Sequence, residues 1–302
     1  MNNHFNFMWR NGEVLITNDF GDYAFLSKDE FASFVSGKVQ HESELYMLLS
    51  RKGFLTDENP NVFINERIGD LRNMKGYLFS ATALHIFAIT NRCNQNCVYC
   101  QAKAPGSTLD GIMDVETGKK AIEVAMQSPA NNLTFEFQGG EPLLNFDLIL
   151  EMIRNSRELN LKYNKKLEYT IVTNLVALTD EKLQALIDNN VSICTSLDGC
   201  EIVHNQNRKL RSGEGTYQHV KKAIQRVKSA GKEVGAIETT TRFSLRYPVE
   251  IVDEYVSTGL SGIFLRPLTP LGFAKSFWDE VGYSAEDFIE FYKKAFTHIL
   301  EI

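Results

Sequence analysis

The 302-residue sequence has few of the features that mark membrane, secreted or nucleic-acid-binding proteins. No uninterrupted apolar run approaches the roughly 20 residues that a membrane-spanning helix needs, so we expect no membrane partner. The first residues, MNNHFNFMWRNGE, lack the basic stretch and apolar core of a secretory signal. A formal net charge of −6 gives no broad attraction for a phosphate backbone, so we do not expect nucleic acid as a partner.

Cysteine is also scarce, but its distribution is uneven. The chain has five cysteines, and three of them, Cys93, Cys97 and Cys100, lie within eight residues. Without a secretory signal we expect a cytoplasmic protein, where thiols stay reduced and clustered cysteines more often bind metal or act in catalysis than form disulfides. Because 43% of the residues are hydrophobic, the chain can bury a substantial core around such a site.

The first part of the chain predicts a small α+β unit. Two short apolar runs between residues 14 and 26 flank the turn-rich tetrapeptide Asn-Asp-Phe-Gly at 18–21, which is typical of a hairpin. Ser27 and Glu30 have the spacing of a helix capping box, and a second helix is expected over 42–51. These elements predict an amino-terminal hairpin-plus-helices domain.

From there onward, strand-like apolar runs alternate with amphipathic helical stretches, which is typical of a parallel sheet. We predict a domain boundary after residue 80, with domains over 1–80 and 81–302. The strand candidates are 85–90, 133–138, 167–173, 191–197, 234–240 and 262–266, and the helix candidates are 115–127, 147–159, 180–189, 217–230, 248–258 and 285–300. These six βα units fit an open doubly wound sheet or a partial barrel, and in both architectures functional groups collect at the carboxyl ends of the strands.

Cys93, Cys97 and Cys100 follow the first of these strands with the spacing C-x3-C-x2-C. Thiolates are the ligands of iron–sulfur clusters, and a cubane held by three of them leaves one iron open to another donor. Ferredoxin-type runs supply four cysteines, and structural zinc also takes four ligands. The alternatives are a zinc site completed by a histidine such as His85, or three unrelated thiols.

The second strand ends in Gly139-Gly140-Glu141-Pro142. Adjacent glycines let the backbone approach a ligand, and a carboxylate beside them can accept hydrogen bonds from an ammonium group. The alternative for such a segment is an ordinary turn.

The fourth strand ends in Ser196-Leu197-Asp198-Gly199, and Arg208 follows it. Because side chains alternate along a strand, we expect Ser196 and Asp198 on one face, with Cys194 beside Ser196 as an ordinary buried thiol. The planar guanidinium of Arg208 suits a carboxylate ligand. The alternative is a capping serine and a surface arginine. Polar residues at 173–174 and 239–241 point toward the same rim.

Together, the cysteine loop with an aromatic residue before its last cysteine, the GGEP segment and the SLDG segment resemble the radical S-adenosylmethionine (SAM) superfamily and its SPASM/twitch-type peptide-modifying branch. The resemblance implies an α/β fold, a partial (β/α)6 TIM-like barrel, with a small winged-helix-like amino-terminal domain for peptide recognition. It implies a [4Fe–4S] cluster on Cys93, Cys97 and Cys100, with SAM contacted by Tyr99, Gly139, Gly140, Glu141, Ser196 and Arg208. Glu141 corresponds to the contact with the methionyl amino group, and Ser196 and Arg208 to contacts with the ribose and carboxylate.

The resemblance further implies an oxidoreductase-type enzyme that reductively cleaves SAM and modifies a ribosomally made precursor peptide by hydrogen abstraction. Its partners would be that peptide and an electron donor such as flavodoxin or ferredoxin. Short segments at 12–18, 23–27, 52–55, 250–255 and 264–268 resemble the maturases of the His-Xaa-Ser system, HxsB. The alternatives are a cluster-containing peptide-binding scaffold without catalysis and a radical SAM enzyme that acts on a non-peptide substrate such as RNA.

SPASM-type proteins continue into a cysteine-rich region that carries auxiliary clusters. Here the last cysteine is Cys200, so we expect no auxiliary-cluster ligands in this sequence. The expectation is therefore either a fragment of a longer enzyme or a shortened natural form.

Overall fold

A computed structural model describes residues 2–56, 60–102 and 111–302. The chain divides into two compact units, Met1–Ser80 and Ala81–Ile302. None of the helices in the described ranges combines the length and the apolar character that a bilayer crossing requires.

The amino-terminal unit is an antiparallel sheet with short helices. Its strands are β1 (Asn6–Arg10), β2 (Glu13–Thr17) and β3 (Tyr23–Leu26), and its helices are α1 (Lys28–Val35), α2 (Glu44–Arg51), α3 (Pro60–Glu66) and α4 (Ile68–Lys75), followed by a 3-10 turn (Gly76–Phe79). The sheet order is β1-β2-β3, so β1 and β3 are its edges. Alternate residues of β2, Val14 and Ile16, are buried against Phe34 and Leu49 of the helices, which gives this unit its own core.

The predicted hairpin over 14–26 is confirmed as β2 and β3. The capping box of α1 is also confirmed, because the Glu30 amide donates to the Ser27 hydroxyl and the Ser27 amide donates to the Glu30 carboxylate. Sequence reasoning missed β1. The sequence signal for β1 was the pair Asn11-Gly12, because Asn-Gly is a strong indicator of a two-residue hairpin turn. In the structure this pair connects β1 to β2 with φ angles of 48° and 91°.

The second unit is built on a parallel sheet. Its strands are β4 (Leu84–Ala88), β5 (Asn132–Gln138), β6 (Lys166–Val172), β7 (Val191–Ser196), β8 (Val234–Thr239) and β9 (Phe264–Arg266). The strands are adjacent in chain order from β4 to β9. A doubly wound sheet reverses its strand order at a switch point, whereas a barrel adds each strand beside the last. The order therefore confirms the partial barrel.

The helices that cover this sheet are α5 (Val115–Met126), α6 (Phe146–Tyr163), α7 (Asp180–Asp188), α8 (Glu201–Asn207), α9 (Tyr217–Ser229), α10 (Pro248–Ser257), α11 (Phe273–Ser276), α12 (Trp278–Val281) and α13 (Ala285–Glu301), with 3-10 turns at Pro142–Asn145 and Ser244–Arg246. All six predicted helices and all six predicted strands are present, with ends that differ by a few residues. The short helices α8, α11 and α12 were not predicted.

The apolar core of this unit lies between the sheet and its helices. Phe135 and Phe137 of β5 are fully buried there with Met152 of α6 and Ile224 of α9. Because side chains alternate, the intervening residues of each strand face the other side of the sheet. Polar side chains such as Gln138 and Ser196 occupy that inner face, where the candidate site lies.

Candidate functional site

A cavity of about 310 Å³ lies at the carboxyl ends of the strands of the core unit. This is the volume of a small-molecule pocket, whose usual range begins at about 300 Å³. Eight of the nine residues predicted for the site line this cavity: Cys93, Cys97, Tyr99, Cys100, Gly139, Gly140, Ser196 and Arg208. Three segments that are distant in sequence therefore meet at one place, as the parallel sheet requires.

The three cysteines of the loop after β4 are half-buried around this cavity. The Gln95 amide donates to Cys93 Sγ at 3.4 Å, and the Asn174 side-chain amide lies 3.9 Å from the same sulfur. Burial raises the pKa of the Cys97 thiol to about 12, while the nearby guanidinium of Arg208 acts in the opposite direction. This thiol is therefore protonated at neutral pH unless a bound metal displaces its proton.

The three thiols around the cavity have the ligand type and number that a cubane with one open iron takes. Across residues 2–56, 60–102 and 111–302, no three His, Cys, Asp or Glu side chains converge on a position for one metal ion. A cubane takes its ligands on separate irons, so thiols distributed around a cavity fit it. His85 lies at the opposite end of β4 from the cysteine loop and packs against Phe135, so it cannot complete a zinc site there.

Gly139 and Gly140 bring the end of β5 against the start of the cysteine loop. The Gly140 amide donates to the Thr90 carbonyl at 2.7 Å, and the Glu141 amide donates to the Arg92 carbonyl at 2.8 Å. A Cβ at Gly139, whose φ is +149°, would overlap the Thr90 carbonyl oxygen, and one at Gly140 would overlap that of Arg92. The glycines thus permit close backbone packing of the cysteine loop, and they also present backbone atoms to the cavity.

The structure does not place the Glu141 side chain on the cavity wall. Its carboxylate is fully buried and accepts hydrogen bonds from the Thr173 hydroxyl (2.6 Å), the Asn174 amide (2.7 Å) and the Leu143 amide (3.0 Å). Burial raises the pKa of this carboxyl group. Glu141 therefore connects the ends of β5 and β6, and it is the neighbouring glycine backbone that faces the cavity.

Arg208 is held in the cavity wall by the buried carboxylate of Asp198. Arg208 Nε donates to Asp198 Oδ1 at 3.2 Å, and Arg208 Nη1 lies 3.8 Å from Cys97 Sγ. The Tyr99 hydroxyl donates to Asp198 Oδ2 at 2.7 Å, and the guanidinium carbon lies 5.3 Å from the centre of the Tyr99 ring. The guanidinium has therefore a fixed orientation beside the cysteine loop.

Ser196 lies where the sequence predicts it, and Cys194 lines the same cavity. β7 ends at Ser196, and the carboxylate of Asp198, two residues later, bonds to Tyr99, Arg208 and Thr239, which line the same cavity as Ser196. Asp198 turns inward and is fully buried.

Sequence reasoning therefore missed the role of Asp198, and it also missed His204. The His204 ring accepts from the Asp198 amide at Nδ1 (3.3 Å) and contacts the Thr216 hydroxyl at Nε2 (3.1 Å). Burial lowers the pKa of His204 to about 4, so the ring is neutral. The available signal was sequence spacing: His204 lies in the short helix α8, four residues before Arg208, which caps the end of that helix.

Polar residues that sequence analysis ranked behind these motifs also reach the rim. Thr173, Asn174 and Thr239 line the cavity, as does Arg266 at the end of β9. The Arg266 side chain donates to the Gln101 side-chain oxygen at 3.2 Å.

A partial barrel of parallel strands, with three thiols at the carboxyl ends of the strands, is typical of an α/β enzyme domain that binds an iron–sulfur cluster. The family model of the radical SAM superfamily matches residues 87–264, which is more than half of the chain. The chain belongs to the radical SAM superfamily. The cofactors of that superfamily are a [4Fe–4S] cluster and SAM, and the three-thiol cavity described above fits them.

Individual relatives extend this result. The chain is 30% identical to an uncharacterized protein of Methanocaldococcus jannaschii, over 61% of this chain and 62% of that protein. It is 25% identical to a cysteine-type anaerobic sulfatase-maturating enzyme of Clostridium perfringens, over 71% of this chain and 59% of the enzyme. The chain thus spans about three fifths of the length of these curated relatives.

The fold also resembles that of Streptococcus suis SuiB, solved bound to precursor peptide SuiA. The TM-score is 0.56 at 15% identity, with 98% of this chain and 69% of SuiB covered. At this identity the likeness concerns the fold alone.

Proposed function

We propose that this chain is the SAM-cleaving part of a radical SAM enzyme that modifies a ribosomally made precursor peptide by hydrogen abstraction. The observation that carries the proposal is the single cavity that the cysteine loop, the Gly139–Gly140 backbone, Ser196 and Arg208 share. The three thiols would hold the cluster, and the other groups would hold SAM in the same cavity. When bound, these cofactors would supply the radical chemistry that removes a hydrogen atom from the substrate.

The residues of the chain orient SAM in this proposal. Arg208, fixed by Asp198, offers its remaining guanidinium donors to the SAM carboxylate. The Ser196 hydroxyl is available to the ribose. Because the carboxylate of Glu141 already accepts three hydrogen bonds, we assign the SAM amino group to backbone carbonyls of the 139–140 segment rather than to that side chain.

A peptide substrate is favoured by the relatives. The C. perfringens relative is a sulfatase-maturating enzyme, and SuiB, which has a similar fold, was solved bound to precursor peptide SuiA. The finer assignment to the His-Xaa-Ser type rests on short sequence segments, and co-purification with the precursor of such a system would test it.

The amino-terminal unit is the proposed site of precursor recognition. Its three-stranded sheet has two edges, β1 and β3, and an extended peptide can add a strand to such an edge through main-chain hydrogen bonds. Both edges carry exposed aromatic side chains, among them Trp9 of β1 (54% exposed) and Tyr23 of β3 (55% exposed). Apolar pockets formed by these side chains would select the sequence of the peptide.

The proposal also places the protein in a reducing compartment, the cytoplasm, because cluster ligands must remain thiolates rather than disulfides. An electron donor such as flavodoxin or ferredoxin would supply the electron.

Anaerobic reconstitution with iron and sulfide, followed by SAM and dithionite, tests the proposed function. Formation of 5′-deoxyadenosine and methionine is the expected result. An intact cluster without SAM cleavage would favour the non-catalytic scaffold. Cleavage that is stimulated by RNA and not by precursor peptide would favour the RNA-modifying alternative.

A further inference from the structure

We propose that Arg208 and Asp198 set the reduction potential of the cluster with opposite signs: Arg208 raises it through Cys97, and Asp198 positions Arg208 and partly offsets its charge. The inference rests on the proposed function, because it requires a cluster on the cysteine loop. It adds a role for both residues that binding of SAM does not require.

The geometry places a positive charge at a cluster ligand. Arg208 Nη1 lies 3.8 Å from Cys97 Sγ, within the range of a hydrogen bond to sulfur. Arg208 is only 8% exposed, and Asp198 is not exposed at all. Buried charges interact with neighbouring groups more strongly than exposed charges do, because water screens them less.

The carboxylate of Asp198 fixes this arrangement. It accepts from Arg208 Nε (3.2 Å), from the Tyr99 hydroxyl (2.7 Å) and from the Thr239 amide (3.3 Å). Its own amide donates to the neutral ring of His204. With its backbone and both oxygens held by the protein, Asp198 is a positioning residue for the guanidinium.

Reduction adds negative charge to a cluster, so a hydrogen-bond donor or a positive charge at a ligand sulfur stabilises the reduced form and raises the potential. A negative charge nearby has the opposite effect. A guanidinium donor of Arg208 lies 3.8 Å from Cys97 Sγ, and the Asp198 carboxylate is paired with the same guanidinium at 3.2 Å. The two side chains therefore act on one sulfur in opposite directions.

The test is a potentiometric titration of the reconstituted full chain without SAM, followed by electron paramagnetic resonance (EPR) of the reduced cluster. Four variants are compared with the wild type: Arg208→Gln, Arg208→Lys, Asp198→Asn and the Arg208→Gln/Asp198→Asn pair. Arg266→Gln is the matched control, because Arg266 lines the same cavity but donates to Gln101 and not to a cysteine.

Arg208→Gln should lower the one-electron reduction equilibrium constant about tenfold, which is about 59 mV. Asp198→Asn should shift the potential upward by less, and the double variant should lie between the two single variants. Arg208→Lys, which keeps the charge, should retain most of the wild-type potential, and Arg266→Gln should shift it less than Arg208→Gln.

An unchanged potential in Arg208→Gln would overturn the inference. A shift in the same direction in Arg208→Gln and Asp198→Asn would also overturn it, because that pattern indicates a general disturbance of the cysteine loop. If Arg208→Gln does not fold, two other variants still test the inference. The potential of Asp198→Asn should rise, and the potential of Arg208→Lys should stay near the wild-type value. A wild-type protein without any cluster would overturn the proposed function as well. An intact wild-type cluster with unshifted variants would overturn this inference alone.

Discussion

The cavity of the core unit and the sheet of the amino-terminal unit differ in how far their candidate functional side chains are exposed to solvent. Around the cavity, polar and charged groups such as Asp198 and Glu141 are fully buried and held by several hydrogen bonds. On the amino-terminal sheet, Trp9 and Tyr23 are large, uncharged aromatic side chains that are about half exposed. Burying a charge is costly unless it is paired, so a buried network defines a site closely. Exposed aromatic residues on the sheet edges fit the proposed contact with a peptide but specify the chemistry of the partner less.

The largest loss of function is expected from substitutions in the cysteine loop of the core unit. Replacing Cys93, Cys97 and Cys100 together by Ala should remove the iron and abolish SAM cleavage, because the cluster loses all three of its proposed ligands. Replacing Cys194 and Cys200 together by Ala is the matched control and should keep about four irons per chain. Iron analysis of anaerobically purified protein measures both. A cluster that persists in the triple variant would refute the assignment.

His204 should make the core unit specifically sensitive to acid. Its pKa in the folded chain, about 4, lies below the ordinary value of 6.5, so protonation favours the unfolded state. The stability contributed by the neutral ring is complete above pH 6.5 and is lost as the pH falls from 6.5 to 4, by about 3 kcal/mol.

His204→Gln isolates this contribution from those of buried carboxyl groups. Denaturant titrations at several pH values should show a stability difference between wild type and variant that shrinks below pH 6.5. A difference that is constant with pH would contradict the neutral buried ring.

The binding of SAM should depend on the two rim residues without loss of the cluster. Arg208→Lys removes the planar fork and should weaken SAM binding about tenfold, and Ser196→Ala should weaken it about fivefold. Equilibrium dialysis against SAM, with iron analysis of the same samples, measures both quantities. Unchanged SAM affinity in both variants would show that the pocket is assigned wrongly.

Close packing at the end of β5 predicts a smaller loss. Gly140→Ala places a methyl group on the Arg92 carbonyl and should destabilise the core unit by about 1–3 kcal/mol. Gly262→Ala is the control, since a Cβ there meets nothing within 4 Å. Thermal unfolding of the two variants compares them. Equal stability would contradict the packing role of Gly140.

The smallest effect is expected at the amino-terminal sheet. Trp9→Ala and Tyr23→Ala each remove one exposed aromatic side chain, one from each sheet edge, and should weaken precursor binding a few-fold at the edge that the peptide uses. Fluorescence anisotropy with a labelled precursor measures the affinity, and SAM cleavage without peptide should be unaffected. Unchanged affinity in both variants would leave the unit a structural role.

The parallel sheet followed from strand periodicity, which is a local signal, and the cavity-lining residues followed from short motifs that resemble those of the radical SAM superfamily. The positions of Glu141 and Asp198 did not follow, since both depend on contacts between loops that are distant in sequence. The Asp198 carboxylate bonds to Tyr99 and Arg208, which are 99 and 10 residues away in the sequence. The edge strand β1 was missed although Asn11-Gly12 is a local turn signal, because its five residues are all exposed and show no alternation of burial.

The central claim is that a cluster and SAM occupy one cavity, and EPR of the reduced protein with and without SAM tests it most directly. The account predicts a cubane signal in the wild type that changes when SAM is added, because the open iron gains ligands. A signal indifferent to saturating SAM, or stoichiometric zinc in place of iron, would contradict it.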